Sequence, residues 1–483
     1  MNKLIKVFAG SLLSASICSC NINTENNVNA GGIEKPNVIV IFADDMGYGD
    51  MSSYGHPTII TPHLDRLAHE GQKWTNFYAS NSVCTPSRTG LLTGRLPIRS
   101  GMCSDNRRVL FQDSKGGLPQ TEITIAKLLK QKNYKTACIG KWHLGHLEGF
   151  QPLDHGFDSY FGIPYSNDMD RPEGVNAREV CNNPDIKYFN VPLMRNRDII
   201  ERPADQNTIT KRYTEETIDF IRKNKQSPFF IYLAHSMPHV PLFASEDFDG
   251  TSSRGLYGDV IQEIDWSVGR IIETLKEEGL DKTTLVVFTS DNGPWLVFNE
   301  NGGSAGLLRD GKGTSYEGGM REPAVFWWPG KVKPGVIQQI GSTLDLFPTI
   351  NKIAGIEIPN DRIYDGYDIS DVLFNHRYSE RKNIFYYHGE KVFAIRHENW
   401  KIHYKTLENI YTSEAKFVEH DPPMLFNLAT DPSEKYNVAS ENPDIIKSFN
   451  KILATHLKTI KPVENQLEKR DDIEKEGVEK SSL

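Results

Sequence analysis

The chain has 483 residues, of which 38% are hydrophobic and 24% charged, so its length allows one large α/β domain with a smaller one appended, or two to three small domains. This composition excludes a mostly disordered protein, and the formal net charge of −8 excludes a general attraction to nucleic acid, so we expect no nucleic-acid partner. An anionic substrate would therefore have to be bound by local positive charge.

The N-terminus has the pattern of an export signal. Lys3 and Lys6 precede an apolar run over residues 7–17, which is too short to span a bilayer stably. The run leads to Cys20 in a sequence that resembles a bacterial lipoprotein box. We therefore expect a lipoprotein signal peptide over residues 1–20 and a lipid anchor on Cys20, which would place the exported protein in the periplasm or at the outer membrane. A plainly secreted protein is the alternative.

A polar, Asn- and Gly-rich segment over residues 21–35 follows and suits a tether between a lipid and a folded domain. Only four cysteines lie beyond the signal, which is too few for a disulfide framework in so long a chain. They are Cys84, Cys103, Cys138 and Cys181, and whether the last three pair is left open.

Four short apolar runs alternate with helical patterns after residue 36. The runs cover residues 38–43, 136–139, 229–233 and 285–289. Helical patterns, such as the one over residues 257–277, separate them. This alternation predicts an α/β catalytic domain over residues 36–380, with a large, mostly parallel central sheet flanked by helices.

From residue 384 onward the apolar runs follow one another without helices between them. This spacing predicts a smaller C-terminal subdomain over residues 381–462, built from an antiparallel sheet and a helix that begins near residue 443. The last segment, residues 463–483, is so charged that we expect it to bury little.

The most specific pattern is the run from Cys84 to Arg88, CTPSR. Pro86 suits the first turn of a helix and would place Cys84 at the helix N-terminus, where free N–H groups favour anions. A buried cysteine beside a turn is the alternative.

Polar pairs also follow each predicted strand, where ligands of open α/β sheets gather. By themselves, pairs such as Asp44-Asp45 more often form helix caps or turns.

In their order along the chain, the motifs resemble those of formylglycine-dependent type I sulfatases of the alkaline-phosphatase-like superfamily. Besides the Cys84 motif, the resemblance rests on residues 42–50, 140–145, 162–166, 238–239, 289–293 and 311–319. Residues 306–309 and 316–323 are similar to the branch of arylsulfatase A and N-acetylgalactosamine-6-sulfatase. The fold expected for a bacterial member is the alkaline-phosphatase-like α/β fold.

The resemblance implies that a formylglycine-generating maturation enzyme oxidises Cys84 to formylglycine (3-oxoalanine). One hydroxyl of its hydrate attacks sulfur, and the other later drives the release of sulfate. A metal ion would be bound by Asp44, Asp45, Cys84, Asp291 and Asn292. Because carboxylate cages favour Ca²⁺ over an ion that prefers to keep its waters, we expect Ca²⁺ more than Mg²⁺.

The resemblance also implies seven catalytic residues: Cys84, Arg88, Lys141, His143, His239, Asp291 and Lys312. Three residues would contact the sulfate: Lys141, His239 and Lys312. Ser166 would also belong to the substrate-binding set and would help, with His143, to place the formylglycine hydrate. His239 or Lys312 would protonate the leaving oxygen, and His143 would act as the base for sulfate release. Arg88 would steady the hydrate, and Asp291 would polarise its attacking hydroxyl.

The organic part of the substrate has weaker candidates. His388 is the substrate-binding candidate from the C-terminal subdomain, with Tyr386 and Tyr387 beside it. His235 has no clear role and is interpreted as part of the scaffold.

These features predict a sulfatase that removes sulfate from sulfated carbohydrates, acting at chain ends, with galactose or N-acetylgalactosamine sulfates favoured. A broad arylsulfatase and a phosphate or phosphonate monoester hydrolase of the same superfamily are the alternatives. A non-enzymatic lipoprotein that binds glycans is a further one, against which the intact set of catalytic residues argues.

Overall fold

The computed structural model describes residues 35–410, 412 and 414–470. The predicted signal peptide with Cys20, residues 21–34 of the tether and residues 471–483 of the tail lie outside this part of the chain. Among the described residues, no helix combines the length and the apolar character that crossing a membrane requires.

Eleven of the described strands form one mixed sheet with β1 near its centre. In chain order they are β1 (Asn37–Ala43), β2 (Gln72–Tyr78), β3 (Lys135–Gly140), β4 (Ser159–Gly162), β5 (Leu193–Arg195), β6 (Asp198–Glu201), β7 (Phe229–Ala234), β8 (Thr284–Ser290), β9 (Arg321–Trp327), β10 (Gly335–Ile337) and β11 (Gly341–Ser342). Their order is β10-β2-β9-β8-β1-β7-β3-β4-β5-β6, with β11 also paired to β2. The four central strands from β8 to β3 are parallel, whereas β9 and β5 are antiparallel to their neighbours. The predicted fold class is confirmed.

Helices cover both faces of this sheet. The described α-helices are α1 (Pro62–Glu70), α2 (Cys84–Thr93), α3 (Ile125–Lys130), α4 (Ala177–Asn182), α5 (Ile209–Asn224), α6 (Leu256–Glu277), α7 (Glu317–Met320), α8 (Leu346–Ile353), α9 (Ser370–Asn375) and α10 (Pro443–Leu457). All seven residues of β1 are buried, and alternate side chains enter two different core clusters because neighbours on a strand point to opposite faces. Helices α5 and α6 pack on one face, and α3 and α8 on the other. Burial on both faces explains the continuous apolar runs in the sequence.

Parallel pairing brings the ends of four strands to the same edge of the sheet. Ala43 at the end of β1 pairs with Ser290 of β8, and Gly140 at the end of β3 pairs with Ala234 of β7. A Cβ atom on Gly140, whose φ is 106°, would lie 1.8 Å from the Ala234 carbonyl oxygen, so only glycine fits there. The residues that follow these strands therefore emerge together.

A second, four-stranded antiparallel sheet forms near the C-terminus. It is built from β12 (Asn383–His388), β13 (Lys391–His397), β14 (Trp400–Glu408) and β15 (Lys416–Asn427), in that order. Helix α10 packs on it through Phe449, which joins a core cluster with Ile395 and Ile402.

Two residues near the start of the predicted charged tail are buried. Leu467 is fully buried, and the Gln466 amide donates a hydrogen bond to the Gly101 carbonyl at 2.8 Å. Most of the other described residues over 463–470 are exposed, and one apolar side chain anchors this charged stretch to the catalytic domain.

Candidate active site

Cys84 is the first residue of α2, a helix whose ten residues are all buried. Pro86 lies in the first turn, as predicted. The Cys84 Sγ is 3.6 Å from Oδ1 of Asp44. Burial raises the pKa of the Cys84 thiol to about 12, although Lys141 acts in the opposite direction. An unmodified Cys84 would thus be a neutral thiol near neutral pH, which is a poor nucleophile.

Three carboxylates surround Cys84. Ligand atoms of Asp44, Asp45, Asp291 and Cys84 all lie within 4.8 Å of one another. Adjacent residues can meet here because β1 has ended and Asp45 has a φ of 63°, which abolishes the alternation of a strand. Burial, and next the charge of Asp44, raise the pKa of Asp291 to about 7.

Asn292 completes a set of oxygen donors. Its Nδ2 donates to Oδ1 of Asp45 at 2.6 Å, whereas its buried Oδ1 has no hydrogen-bond partner among the described residues. Buried polar oxygens in folded proteins nearly always have a partner, so this oxygen is suited to bind a metal ion. Three carboxylates and one amide oxygen form the type of donor set that hard divalent cations prefer, so these residues fit the expected metal.

Two lysines contact these acids. Lys141 Nζ is 2.6 Å from Oδ2 of Asp44 and 3.1 Å from Oγ of Ser166, and Lys312 Nζ is 2.7 Å from Oδ2 of Asp45. Burial opposes ionisation of Asp44, but Lys141 and then Arg88 hold its pKa well below the usual value. The cations around Asp44 thus stabilise its ionised form.

Arg88 ties the acids to α2. Its Nη2 is 2.7 Å from Oδ2 of Asp291 and 3.3 Å from Oδ1 of Asp44, and its Nη1 donates to the Lys141 carbonyl at 3.0 Å. Since Arg88 is one turn beyond Cys84, its side chain fixes the start of the helix against two strand ends.

His239 lies between Asp45 and Ser166. Its Nε2 is 3.5 Å from Oδ2 of Asp45 and 3.4 Å from Oγ of Ser166, and its Nδ1 is 3.1 Å from Oδ1 of Asn167. Burial, and next the charge of Lys312, lower the pKa of His239 to about 3, so the imidazole is neutral near neutral pH.

His143 has one nitrogen engaged and one without a partner. Its Nε2 lies 2.7 Å from the Leu110 carbonyl, and its buried Nδ1 has no partner among the described residues. Because a carbonyl only accepts, we assign the proton to Nε2, which leaves a lone pair on Nδ1. Burial and Lys141 hold the pKa of His143 well below its usual value.

Sequence reasoning missed three neighbours of these groups. The ring of Trp295 is 5.3 Å from that of His239, and Lys312 Nζ lies 4.4 Å from the centre of the same ring. Asn167 holds His239, and Arg108 lies near Cys84. Trp295 and Asn167 closely follow the motif residues Asp291 and Ser166, which was the one available signal.

The structure does not bring every candidate into the cluster. His388 lines a pocket next to residues 81–83 and packs on Phe393 at 5.0 Å. The Tyr386 hydroxyl is buried on Glu317 at 2.6 Å, so this tyrosine is a core residue. His235 lies 3.5 Å from Oγ of Ser267 and shares no hydrogen bond with the catalytic candidates.

Comparisons with known proteins agree with this geometry. A family model described as Sulfatase matches residues 36–356, and one described as the C-terminal region of aryl-sulfatase matches residues 379–482. The chain is 38% identical to N-acetylgalactosamine-6-sulfatase of Canis lupus familiaris, over 91% of this chain and 89% of that protein. It is 39% identical to arylsulfatase A of Homo sapiens, over 86% of this chain and 87% of that one.

Solved structures give the same result. The PsFucS1 sulfatase from Pseudoalteromonas sp. aligns with a TM-score of 0.78 at 29% identity, covering 88% of this chain and 90% of that one. Ps i-CgsB in complex with k-i-k-neocarrahexaose aligns with a TM-score of 0.76 at 30% identity, covering 91% of this chain and 95% of that one.

Proposed function

The chain belongs to the sulfatase family and is a sulfuric ester hydrolase, and from this membership we propose that it removes sulfate from the ends of sulfated glycans by means of a formylglycine at position 84 and a bound Ca²⁺. One observation carries the mechanism. Three carboxylates and three cations, all buried, converge on the first residue of α2.

Position 84 needs a modified residue because the buried thiol is held neutral. The hydrate of a formylglycine at this position would supply the hydroxyl that attacks sulfur. Asp44, Asp45, Asp291 and Asn292 would hold the metal ion, which when bound supplies positive charge that polarises a sulfate oxygen. Mg²⁺ is a less suitable ion, because a cage of protein carboxylates leaves it few of the waters it prefers to keep.

Lys141 and Lys312 would bind the sulfate group. Each already holds a carboxylate oxygen at 2.6–2.7 Å, so each ammonium is oriented toward the centre of the cluster. A preoriented donor is worth on the order of 3 to 4 kcal/mol in transition-state stabilisation, so several of them are needed to hydrolyse a stable ester.

Two groups would move protons. The free lone pair on Nδ1 of His143 suits the base that starts sulfate release. Lys312, or His239 once a bound sulfate favours its protonated form, would protonate the leaving oxygen. The ring of Trp295 would limit how far both can move.

The glycan preference rests on the relatives. One carries an amino sugar in its name, and one solved structure holds a carrageenan-type oligosaccharide. A broad arylsulfatase is the second candidate, since arylsulfatase A is equally similar to this chain. Export as a lipoprotein anchored at Cys20 is part of the proposal and is supported only by the sequence of residues 1–20.

The test uses protein made together with a formylglycine-generating enzyme. Mass spectrometry of the peptide over residues 73–95 should find an aldehyde in place of the thiol, and the Cys84→Ala variant should not turn over any sulfate ester. Cys181→Ala, a buried cysteine in α4, is the matched control and should keep activity.

Sulfate and phosphate esters of one aryl alcohol should then be compared, together with a panel of sulfated monosaccharides. Full turnover by protein with an intact Cys84 thiol would contradict the mechanism. A preference for the phosphate ester would contradict the assignment of substrate.

A further inference from the structure

A pocket lies beside the first turn of α2. Its walls come from three parts of the chain: residues 81–86 next to Cys84, the loop over residues 103–108, and the turn between β12 and β13 at residues 387–389. The side chains of this lining that can carry a positive charge are those of Arg108 and His388.

Arg108 has no ion-pair partner among the described residues, although the charge of Asp45 acts on it over a longer distance. It is half-buried, and no hydrogen bond or ion pair joins its guanidinium to a residue that the structure describes. Its neighbour Arg107, in contrast, pairs with Asp113 at 2.5 Å. An arginine that faces a pocket without a partner is suited to bind an oxyanion, because its planar set of donors matches a carboxylate or a sulfate.

The guanidinium lies close to the proposed sulfate site. A Cβ atom on Gly313 would lie 2.0 Å from Nη2 of Arg108, so the guanidinium packs directly on this glycine, whose φ is 84°. The preceding residue is Lys312, whose Nζ is 2.7 Å from Asp45. Arg108 thus flanks the site without joining its charge cluster.

His388 faces the same space from the C-terminal sheet, and its turn is held firmly. The Glu390 amide donates to Oδ1 of Asp105 at 2.9 Å, and Lys391 Nζ pairs with Oδ2 of Asp105 at 2.6 Å. The ring of Phe417 lies 5.0 Å from that of His388 and is 59% exposed. An exposed aromatic ring beside a pocket with polar groups suits the apolar face of a sugar.

We propose that this pocket binds a second oxyanion of the substrate, a carboxylate or a further sulfate on the same or the neighbouring sugar, through Arg108 and His388, with Phe417 packed on the sugar ring. The inference rests on the proposed function and narrows its substrates to multiply anionic glycans. A neutral sugar with a single sulfate would leave Arg108 without a partner.

The test compares three substrates: a monosulfated N-acetylgalactosamine glycoside, the same glycoside with a second sulfate, and its disaccharide with a uronic acid. The ratio of kcat/KM for a doubly anionic substrate to that for the monosulfated one should exceed unity. In Arg108→Gln this ratio should fall about 10- to 100-fold, which matches the worth of a hydrogen bond to a charged group. Arg108→Lys should give an intermediate ratio, because it keeps the charge but loses the paired donors.

Arg107→Gln removes the same charge one residue away and should leave the ratio unchanged. In Arg108→Gln, one of the two doubly anionic substrates should lose its higher kcat/KM relative to the monosulfated substrate. A loss for the disulfated glycoside identifies the bound anion as sulfate, and a loss for the disaccharide identifies it as carboxylate. Phe417→Ala should raise KM for the sugars more than for an aryl sulfate, whereas Tyr378→Ala, which alters a side chain that is 91% exposed, should not.

An unchanged ratio in Arg108→Gln, or a wild-type enzyme without preference for the doubly anionic substrates, would overturn this inference while sulfate hydrolysis still supports the proposed function. If the wild type hydrolyses no sulfate ester, the proposed function fails first.

Discussion

Two regions of this molecule bury clusters of charge, and they differ in how their polar atoms are used. One is the site around Cys84. The other, which we term the Glu317 cluster, joins the large sheet to the C-terminal sheet and consists of Tyr78, Glu317, Arg321, Tyr386, Arg396, Lys401, His403 and Glu434.

The polar side chains of the Glu317 cluster form hydrogen bonds with one another. Glu317 accepts hydrogen bonds from the hydroxyls of Tyr78 and Tyr386, both at 2.6 Å, and from Lys401 at 3.0 Å. Lys401 also lies 3.0 Å from Glu434, which contacts His403 at 2.7 Å. No buried side-chain nitrogen or oxygen of these eight residues lacks a hydrogen-bond partner.

The site around Cys84, in contrast, contains buried polar atoms that have no hydrogen-bond partner in the described part of the chain. Asn292 Oδ1, His143 Nδ1 and Arg88 Nε are buried without a hydrogen-bond partner among the described residues. Both regions therefore bury charged side chains. Of the two, only the site around Cys84 contains buried donors and acceptors without hydrogen-bond partners among the described residues, as expected for a site that binds a ligand.

The largest effect is expected for Asp291→Asn, which keeps a hydrogen-bond acceptor for Arg88 but removes a negative charge from the metal site. Turnover should fall at least about 100- to 1,000-fold, and bound Ca²⁺ should be lost on desalting. The thermal midpoint of the metal-free variant should stay close to that of metal-free wild type. The measurements are steady-state kinetics, metal analysis and calorimetry, and normal activity after chelation in the wild type would contradict the ligand set.

Glu317→Gln should lower stability and leave activity almost unchanged, which is the opposite of the effect of Asp291→Asn. Removing one charge from a satisfied buried cluster leaves Lys401 poorly compensated and should lower the free energy of unfolding by about 3 kcal/mol, with little change in activity per folded molecule. Glu322→Gln is the matched control. Glu322 is equally buried, and neither of its oxygens has a hydrogen-bond partner among the described residues. Burial, followed by the charge of Asp291, raises its pKa well above the usual value. It is already neutral, so this change should cost less than about 1 kcal/mol.

The charge of Glu317 should make the stability of the folded protein depend on pH. Burial opposes ionisation, but Lys401 and then Arg396 hold the pKa of Glu317 well below its usual value of 4.5. Its stabilising effect is therefore complete above pH 4.5 and is lost as the pH falls from there toward the lower pKa of the folded state. Denaturant titrations should show a constant difference between wild type and Glu317→Gln above that pH and a narrowing one below it. A difference that widens in acid would contradict the assignment.

The smallest effect is expected for Trp295→Leu. The ring contacts both His239 and Lys312, so its loss should lower kcat/KM about 3- to 30-fold, the range for a partly desolvated cation–π contact. Trp266→Leu, which removes a ring packed on Phe248 at 5.7 Å, is the control and should leave kinetics unchanged. Equal losses in both variants would show that the effect is one of general packing.

Much of the architecture followed from the sequence. The runs over residues 38–43 and 285–289 predicted β1 and β8, because strands buried on both faces are continuously apolar. The motif order also identified the residues that meet around Cys84, since parallel strands end at the same edge of a sheet.

Tertiary structure decided the rest. Arg108 and Arg107 are indistinguishable in the sequence, yet only Arg108 lines the pocket and forms no ion pair with a described residue. Glu317 and Glu322 lie five residues apart, and among the described residues only Glu317 has side-chain partners, most of which come from strands more than 60 residues away along the chain. Local sequence encodes which backbone forms, whereas the pairing of a buried charge depends on distant residues that only the folded chain brings within hydrogen-bonding distance.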